Sequence, residues 1–486
     1  MKENEKEVKQ YLEKHCDLSI VQACSLNLNI LTLIEKDNRA NDGYKINENT
    51  EGECEKLRRA NLIKDNYLIT PLINYSYGID KIKNLVTLNL RCSKDHINNS
   101  QSHICKNSKK CELKLDLNRF KYAPRFIHYH EVQHYNFFIE AYRYESGYFG
   151  SYVKNAKDFY SDAGINGLNL SKKSEPSFDE DLDIPKYLNM RVNEITIPAI
   201  AERESLRIGV TSIKVDNKNI SQSYLKTPNL SRDRFNKLIK LINYIELTKS
   251  DVVVFPEVSV PFAWIGILTI FARKQQKTII FGLEHMINRN NVAMNFLATV
   301  VPYKIGGYNY SYLKIRLKNH YSPDEVRQLK GYRYKIPYNV EMSYDLFKWK
   351  GVRFSCFNCF ELADIQHRSY FRSKVDFLTA SEYNRDIPYF SNIVESVARD
   401  VHCYFIQSNS SDFGDSRITR PSRTYEKDIV KLKGGINDQV VVGEINIKQL
   451  REFQYKEYEL QKDDQSFKPT PPNFDKKEIE KVLSES

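Results

Sequence analysis

The sequence predicts an α/β fold for its second half, after a mainly helical N-terminal part. Two observations predict this class. Between residues 206 and 445, short apolar runs of strand length recur, enriched in Val, Ile and Phe. Segments with apolar residues at helical spacing lie between some of these runs. Strands and helices that alternate along a chain pack as layers around a common core, which is the α/β arrangement.

The clearest helix is predicted over residues 231–248. Phe235, Leu238 and Ile242 recur there at helical spacing, and Ser231 is a residue type that caps helix N-termini. The other predicted elements are a helix at 393–398 and strands at 206–213, 252–255, 278–282, 296–301, 312–317, 352–356, 377–380, 404–407 and 440–445.

Changes in composition predict the domain boundaries. A chain of 486 residues is longer than one compact core usually holds. Residues 1–165 are predicted as a mainly helical N-terminal domain, and residues 166–195, polar with little periodicity, as a linker. The α/β domain follows at 196–455, and residues 456–486 are predicted to form an exposed, charged C-terminal tail.

The first 75 residues suggest a helix, a second helix, a turn and a short strand. That order resembles a winged helix, with the second helix at 55–63 and the wing at 66–70. A small helical bundle with a hairpin is the alternative interpretation. The net charge of +11 gives a nucleic-acid partner weak support. Residues 1–150 hold 23 Lys and Arg against 20 Asp and Glu, so the excess is diffuse and typical of a solvated surface.

Cysteine usage and hydropathy predict a soluble cytoplasmic protein. Nine cysteines at irregular spacing, without a signal peptide, are typical of reduced thiols. The apolar segment 252–272 is long enough to resemble a membrane span. It contains Glu257, Pro256 and Pro261, which are costly in lipid or break a helix. The segment is therefore predicted as a buried strand, a turn and a packed helix, with no membrane partner.

Three reactive side chains follow or end predicted strands of the α/β region. Glu257 follows an apolar strand, a lysine lies at the end of another, and Cys359 follows a third. These groups suffice for covalent acyl transfer. The cysteine attacks as a thiolate, the glutamate moves the proton, and the lysine holds the negative charge of the intermediate.

The motifs around these residues resemble the nitrilase, or carbon–nitrogen hydrolase, superfamily. Phe-Pro-Glu at 255–257 looks like its glutamate motif, and Cys-Phe-Glu at 359–361 like its nucleophile turn. The resemblance continues through the strand at 377–381 and the helix with Ala-Arg-Asp at 398–400, and covers about half the chain. It implies a four-layer αββα sandwich, often dimerised, that hydrolyses a small amide or nitrile through a cysteine thioester. No cofactor or metal is expected.

The catalytic lysine has two candidates. Lys314, Arg316 and Lys318 share one strand face, so alternation alone does not choose between them. Lys318 begins a run that resembles the family's Lys-x-His pattern, and is preferred. Glu325 then matches a second glutamate that supports the lysine and orients substrate, at a spacing one residue shorter than the family's.

The nucleophile also has two candidates, Cys356 and Cys359. Cys359 is preferred because an aromatic residue and an acid follow it. The Cys-x-x-Cys pair would otherwise indicate half of a zinc site or a redox pair, but no second such pair exists in the chain.

Two other functions compete with hydrolysis. His130 and His134 lie in a His-Glu-x-x-His sequence, the helical signature of zinc peptidases. A packed aromatic helix is the alternative interpretation of that segment. The nitrilase fold could instead serve as a sensing or interaction module with little turnover, in a bacterial defence or regulatory context. A thiol nucleophile argues against this, because a sensor has no need of one.

Overall fold

The computed structural model describes residues 186–485, apart from 200, 306–307, 339–341 and 436–437, together with 177–179, 184 and scattered positions in 130–149. The chain divides into two compact units, Met1–Phe138 with Lys154–Asn169, and Ile139–Val153 with Leu170–Ser486. All strands and helices named below belong to the second unit. The segments predicted to resemble a winged helix lie outside the described residues.

Sixteen strands are described in the second unit. In chain order they are β1 (Ser177–Asp179), β2 (Met190–Ile197), β3 (Ser205–Ser212), β4 (Val252–Val254), β5 (Thr278–Gly282), β6 (Met286–Ile287), β7 (Ala293–Met294), β8 (Phe296–Ile305), β9 (Tyr308–Leu317), β10 (Met342–Trp349), β11 (Val352–Asn358), β12 (Phe377–Ser381), β13 (Tyr404–Ser408), β14 (Ser416–Thr419), β15 (Asp428–Leu432) and β16 (Gln439–Asn446).

Nine α-helices are described in the same unit. They are α1 (Asn217–Tyr224), α2 (Arg232–Leu247), α3 (Ile265–Gln275), α4 (Pro323–Gly331), α5 (Ile365–Ser369), α6 (Ile387–Val397), α7 (Ile447–Tyr455), α8 (Tyr458–Asp463) and α9 (Lys476–Glu485). Short 3-10 turns lie at Lys186–Leu188, Phe262–Trp264 and Cys359–Ala363, and a π-helical turn at Ala398–His402 continues α6.

The strands form two large sheets. One has the order β1-β2-β10-β11-β12-β13-β14-β15, and the other the order β16-β3-β4-β5-β8-β9. Strands β11, β12 and β13 are parallel to one another, as are β3, β4 and β5. Polar residues that follow parallel strands meet at the carboxyl edge of a sheet. Glu257 follows β4 and Cys359 follows β11, so each lies at such an edge.

The two sheets pack face to face, with helices against them. Strand β11 contacts β8 of the other sheet, and β13 contacts β4. The Thr299 hydroxyl of β8 donates to Cys356 Sγ of β11 over 3.8 Å. Helix α3 packs on β5, β8 and β9, and α6 packs on β13. Burial of Leu378, Phe405 and Val394 in one apolar cluster joins the eight-stranded sheet to α6 and stabilises this layering.

The α/β prediction is confirmed for this region. Helix α2 begins after Ser231, whose side chain accepts a hydrogen bond from the Arg234 amide, as its N-cap. All nine predicted strands coincide with observed strands, within a few residues at their ends. The other seven strands were not in the predicted set, among them β2, which begins in the last residues of the predicted linker. Its partner is β10, about 150 residues later, so the pairing has no local signal.

The C-terminal segment also differs from the expected exposed extension. Helices α8 and α9 lie there, and Phe467 is buried against Phe453 and Tyr404. His402 Nε2 donates to the Lys468 carbonyl over 2.7 Å. A local charge pattern does not reveal that one aromatic residue of the segment packs into the domain.

The apolar segment 252–272 forms β4, a 3-10 turn and most of α3, as its prolines and glutamate predict. Within the part of the chain that the structure describes, a search for helices able to cross a bilayer finds none.

Candidate active site

The chain turns sharply at Cys359, directly after β11. Cys359 has a φ of +47°, a conformation that L-residues rarely adopt outside constrained sites. Asn358 and Glu361 form a capping box around the turn, in which the Asn358 amide donates to Glu361 Oε2 over 2.7 Å. The turn holds the Cys359 side chain buried at the edge of the sheet.

A buried ion pair braces this turn against β9. Arg316 Nη1 and Nη2 each lie 2.7 Å from one oxygen of Glu361, a two-pronged contact. Arg316 also donates to the Cys356 carbonyl over 3.0 Å, and the Asn319 amide donates to Glu361 Oε1 over 2.6 Å. Burial opposes the charge of Glu361, but Arg316 outweighs it and lowers the pKa of this carboxyl. The acid of the Cys-Phe-Glu motif therefore positions the turn.

Glu257 reaches the same cluster from the other sheet. Its amide donates to the Glu382 carbonyl over 3.2 Å, which links the segment after β4 to the residue after β12. Gly282 packs so closely that a Cβ there would lie 2.4 Å from Glu257 Cα. Burial raises the pKa of Glu257 and the charge of Glu325 raises it further, whereas Lys318 opposes the shift.

Lys318 lies between two carboxylates. Its Nζ is 2.7 Å from Glu257 Oε1 and 2.6 Å from Glu325 Oε2. The Lys318 amide donates to the Asn295 carbonyl over 2.9 Å, which fixes the backbone beyond β9. Burial disfavours the ammonium, but the two carboxylates outweigh burial and hold the pKa of Lys318 well above its ordinary value. The lysine is therefore a fixed positive charge.

Glu325 lies in the first turn of α4 and completes the cluster. A capping box with Ser322 holds its backbone, and its Oε1 lies 2.7 Å from His285 Nε2. Burial alone would raise the pKa of Glu325, but Lys318 and His285 lower it to about 2. The two glutamates beside Lys318 therefore differ in proton affinity, since the pKa of Glu257 is raised.

The Cys359 thiol is the third reactive group at this point. The charges of Glu257 and Lys318 both act on it. Burial and the charge of Glu257 raise the pKa of the thiol well above its ordinary value, and Lys318 partly offsets them. A thiol of this kind needs a base beside it to react as a thiolate.

The rival candidates lie elsewhere. Lys314 Nζ lies 3.4 Å from Asp345 Oδ1, and both side chains are buried. Cys356 lies within β11 between the sheets, where burial raises the pKa of its thiol to about 11. The structure thus brings Glu257, Lys318, Glu325 and Cys359 together. His285, which contacts Glu325, was not predicted because a single histidine after a strand carries no motif.

The zinc-peptidase motif of the N-terminal part is described incompletely. His130 and His134 occupy helical positions and are buried. Glu131, which would activate the water in such a peptidase, lies outside the described residues. Metal binding at this motif stays a prediction.

Comparison with known proteins finds likeness in structure. No family model and no curated relative matches the chain. An amidase from Nesterenkonia sp. is 12% identical and covers 55% of this chain and 98% of its own, with a TM-score of 0.37. A mutant of that amidase carries the acetamide moiety of fluoroacetamide at its active-site cysteine. It is 12% identical and covers 55% of this chain and 99% of its own, with a TM-score of 0.37.

A CN-hydrolase superfamily protein from Xanthomonas campestris, described with an arsenic adduct in its active site, is also similar. It is 16% identical and covers 55% of this chain and 99% of its own, with a TM-score of 0.38. These matches cover the C-terminal part of the chain.

Proposed function

We propose that residues 196–455 form a carbon–nitrogen hydrolase of the nitrilase type, layered αββα, that acts on a small non-peptide amide or nitrile. The observation that carries this proposal is the position of Lys318, 2.7 Å from Glu257 and 2.6 Å from Glu325, beside the Cys359 thiol. A buried base and a fixed cation in contact, with a strained cysteine whose charge they influence, have no evident structural purpose, and perturbed groups of this kind mark functional sites.

In the proposed acylation of an amide, Glu257 accepts the Cys359 proton as the sulfur attacks the carbonyl carbon. A C–S bond forms and the oxygen becomes negatively charged. The Lys318 ammonium stabilises that charge without moving, since two carboxylates already hold it in place. Glu257 then gives its proton to the nitrogen, the C–N bond breaks and the amine leaves. The product is a thioester on Cys359.

Deacylation repeats these roles with water. Glu257 accepts a proton from water, the resulting hydroxide attacks the thioester carbon, and the C–S bond breaks. The carboxylic acid leaves and Cys359 regains a proton. The raised pKa of Glu257 suits both halves of the cycle, because a base with a pKa nearer neutrality also serves as an acid. Glu325 keeps its charge throughout, since its pKa is about 2.

Covalent trapping tests this proposal directly. The full chain is incubated with fluoroacetamide and with a library of small amides, and its peptides are sequenced by mass spectrometry. We expect addition of one acetamide or acyl moiety on Cys359. Glu257→Gln should slow the addition strongly, because the thiol loses its base.

Cys356→Ala is the matched control, since it removes the neighbouring thiol and leaves Cys359 in place. That variant should label and turn over as the parent protein does. Labelling of Cys356 in the parent protein, or turnover by Cys359→Ala, would show that the nucleophile is wrongly assigned. Binding of amides without any adduct or hydrolysis would favour the sensing module instead.

A further inference from the structure

Three metal-binding side chains converge beside the proposed active site. Among the described residues, His320, Asp364 and His367 each offer one nitrogen or oxygen atom, and these atoms lie within 4.8 Å of one another. His320 belongs to the loop after β9, Asp364 follows the 3-10 turn of Cys359, and His367 lies in α5. We propose that these three side chains bind a zinc ion. The proposal does not depend on the hydrolase reaction.

The two distances from Asp364 to the histidines fit tetrahedral zinc. Asp364 Oδ2 lies 3.3 Å from His320 Nε2 and 3.4 Å from His367 Nδ1. Zinc bound to nitrogen and oxygen at about 2.0–2.1 Å with tetrahedral angles separates its ligand atoms by about 3.3 Å. Charged hydrogen bonds are shorter, about 2.7–2.9 Å between heavy atoms. Both observed separations therefore suit an ion held between the groups better than direct hydrogen bonds.

Hydrogen bonds orient Asp364 and His367 so that one ligand atom of each side chain faces the proposed metal position. Asp364 Oδ1 accepts from the amides of Gln366 and His367 at 2.9 and 3.1 Å, which caps the helix and leaves Oδ2 turned toward the histidines. His367 Nε2 must donate to the Leu188 carbonyl, 2.9 Å away. In a neutral ring Nδ1 then keeps its lone pair. A backbone carbonyl that holds the second ring nitrogen is typical of zinc-bound histidine.

The third ligand has a buried atom without a hydrogen bond. His320 Nε2 is shielded from solvent, and no described residue meets hydrogen-bond geometry with it, although Asp364 Oδ2 lies 3.3 Å away. A metal ion would satisfy this nitrogen. The rings of His320 and His367 stack with centroids 5.5 Å apart, and a shift of the half-buried His320 ring would bring its nitrogen to the ion.

One internal contact competes with the ion. The Tyr344 hydroxyl lies 3.2 Å from His367 Nδ1 and hydrogen-bonds to that lone pair when no metal is bound. Zinc would replace this neutral hydrogen bond with a bond to the ring. Three protein ligands leave a fourth position for water. The ion would also join the loop that carries Lys318 to the turn that carries Cys359, since His320 and Asp364 follow these residues closely.

Metal analysis of the full-length chain tests the site. The protein is stripped with a chelator, dialysed against Zn²⁺ and then against buffer, and its zinc content is measured by mass spectrometry. We expect one zinc per chain, lost in His320→Ala and in Asp364→Asn. Asparagine still caps α5, so Asp364→Asn removes the charged ligand with little effect on the helix. Circular dichroism confirms that both variants fold.

His134→Ala is the matched control, because it removes a histidine of the other candidate zinc motif. It should keep the zinc. Loss of zinc in His134→Ala with retention in His320→Ala would assign the metal to the N-terminal motif and overturn the proposal. Absence of bound zinc in the parent protein would also overturn it. Co²⁺ in place of Zn²⁺ should give the intense visible absorption of a tetrahedral site in the parent protein, and not in His320→Ala.

Discussion

The buried lysine separates the proton affinities of the two glutamates beside it. Glu325 has a second partner in His285, 2.7 Å away, and a pKa of about 2, whereas burial dominates at Glu257 and raises its pKa. Two carboxyl groups with opposite shifts in one site usually have different roles. We assign proton transfer to Glu257 and a constant negative charge to Glu325.

Replacement of Glu257 by Gln should abolish the pH dependence of turnover. In the parent protein, kcat/KM should rise with pH as Glu257 loses its proton, with a midpoint above the ordinary glutamate pKa of about 4.3. Glu257→Gln keeps the shape of the side chain but cannot accept a proton. Loss of a general base costs on the order of 10²- to 10⁴-fold in rate.

Steady-state kinetics between pH 4 and 9 measure this effect, with Glu444→Gln, on the exposed side of β16, as the control. If Glu257→Gln retained the rising limb at the parent midpoint, another group would be the base.

Replacement of Lys318 by Met should reduce turnover while the protein stays folded enough to bind substrate. By analogy with oxyanion-hole donors, removal of the residue that stabilises the developing negative charge should lower kcat by roughly 10²- to 10³-fold. Lys314→Met is the matched control on the same strand face. Because Lys314 pairs with Asp345, its loss should lower stability and spare kcat of the folded fraction.

Single-turnover kinetics and urea unfolding of the two variants separate these effects. A large loss of kcat in Lys314→Met, with little change in Lys318→Met, would move the catalytic lysine by four residues.

At the scale of elements, the end of β9 and the turn after β11 behave as one unit. Arg316 donates to Glu361 through two nitrogens, and Glu361 accepts from the amides of Asn319 and Asn358. The strand that leads to Lys318 and the strand that leads to Cys359 are thereby joined. We expect their relative position to depend on this ion pair.

Arg316→Met should destabilise the fold, because it leaves the Glu361 charge buried without its partner. Removal of one member of a buried ion pair costs about 3–5 kcal/mol. The double variant Arg316→Met with Glu361→Gln should recover part of this loss, since a neutral amide replaces the unpaired charge. Urea unfolding measures both.

Arg327→Met is the control, because Arg327 forms an exposed pair with Asp324 at 3.0 Å and exposed pairs contribute little. Equal stability of Arg316→Met and Arg327→Met would contradict the positioning role of Arg316.

At the scale of the whole molecule, the C-terminal segment is part of the domain. Phe467 is 3% exposed and packs on Phe453 and Tyr404, whereas Tyr458 of α8 is 52% exposed. Phe467→Ala should therefore lower the free energy of unfolding by about 3–5 kcal/mol, as for other buried aromatic residues.

Tyr458→Ala removes an aromatic side chain of similar size from the surface of the same segment and should change stability little. Urea unfolding of both variants measures the difference. Similar, small effects in the two would mean that the segment contributes no core packing.

Local patterns were sufficient for the elements whose stability is local. Helix α2 could be identified from the period of its apolar residues and from its Ser231 cap. Strands β4, β5 and β11 could be identified from their apolar runs, because buried strands are apolar along their own sequence. Glu257 and Cys359 were chosen because both follow such strands and because the motifs around them resemble those of a known family. Strand β2 could not be identified in this way, because its pairing with β10 depends on residues about 150 positions away.

By itself, the sequence determined the α/β class, the strand ends that carry Glu257 and Cys359, and a preference for Lys318 through its resemblance to a family motif. Only the tertiary structure decided which cation meets which carboxylate. Lys314, Arg316 and Lys318 share one strand face, yet they contact Asp345, Glu361 and Glu257 respectively. Alternation defines the face of a side chain, but its partner is set by the opposing sheet and loops, which long-range packing brings into place.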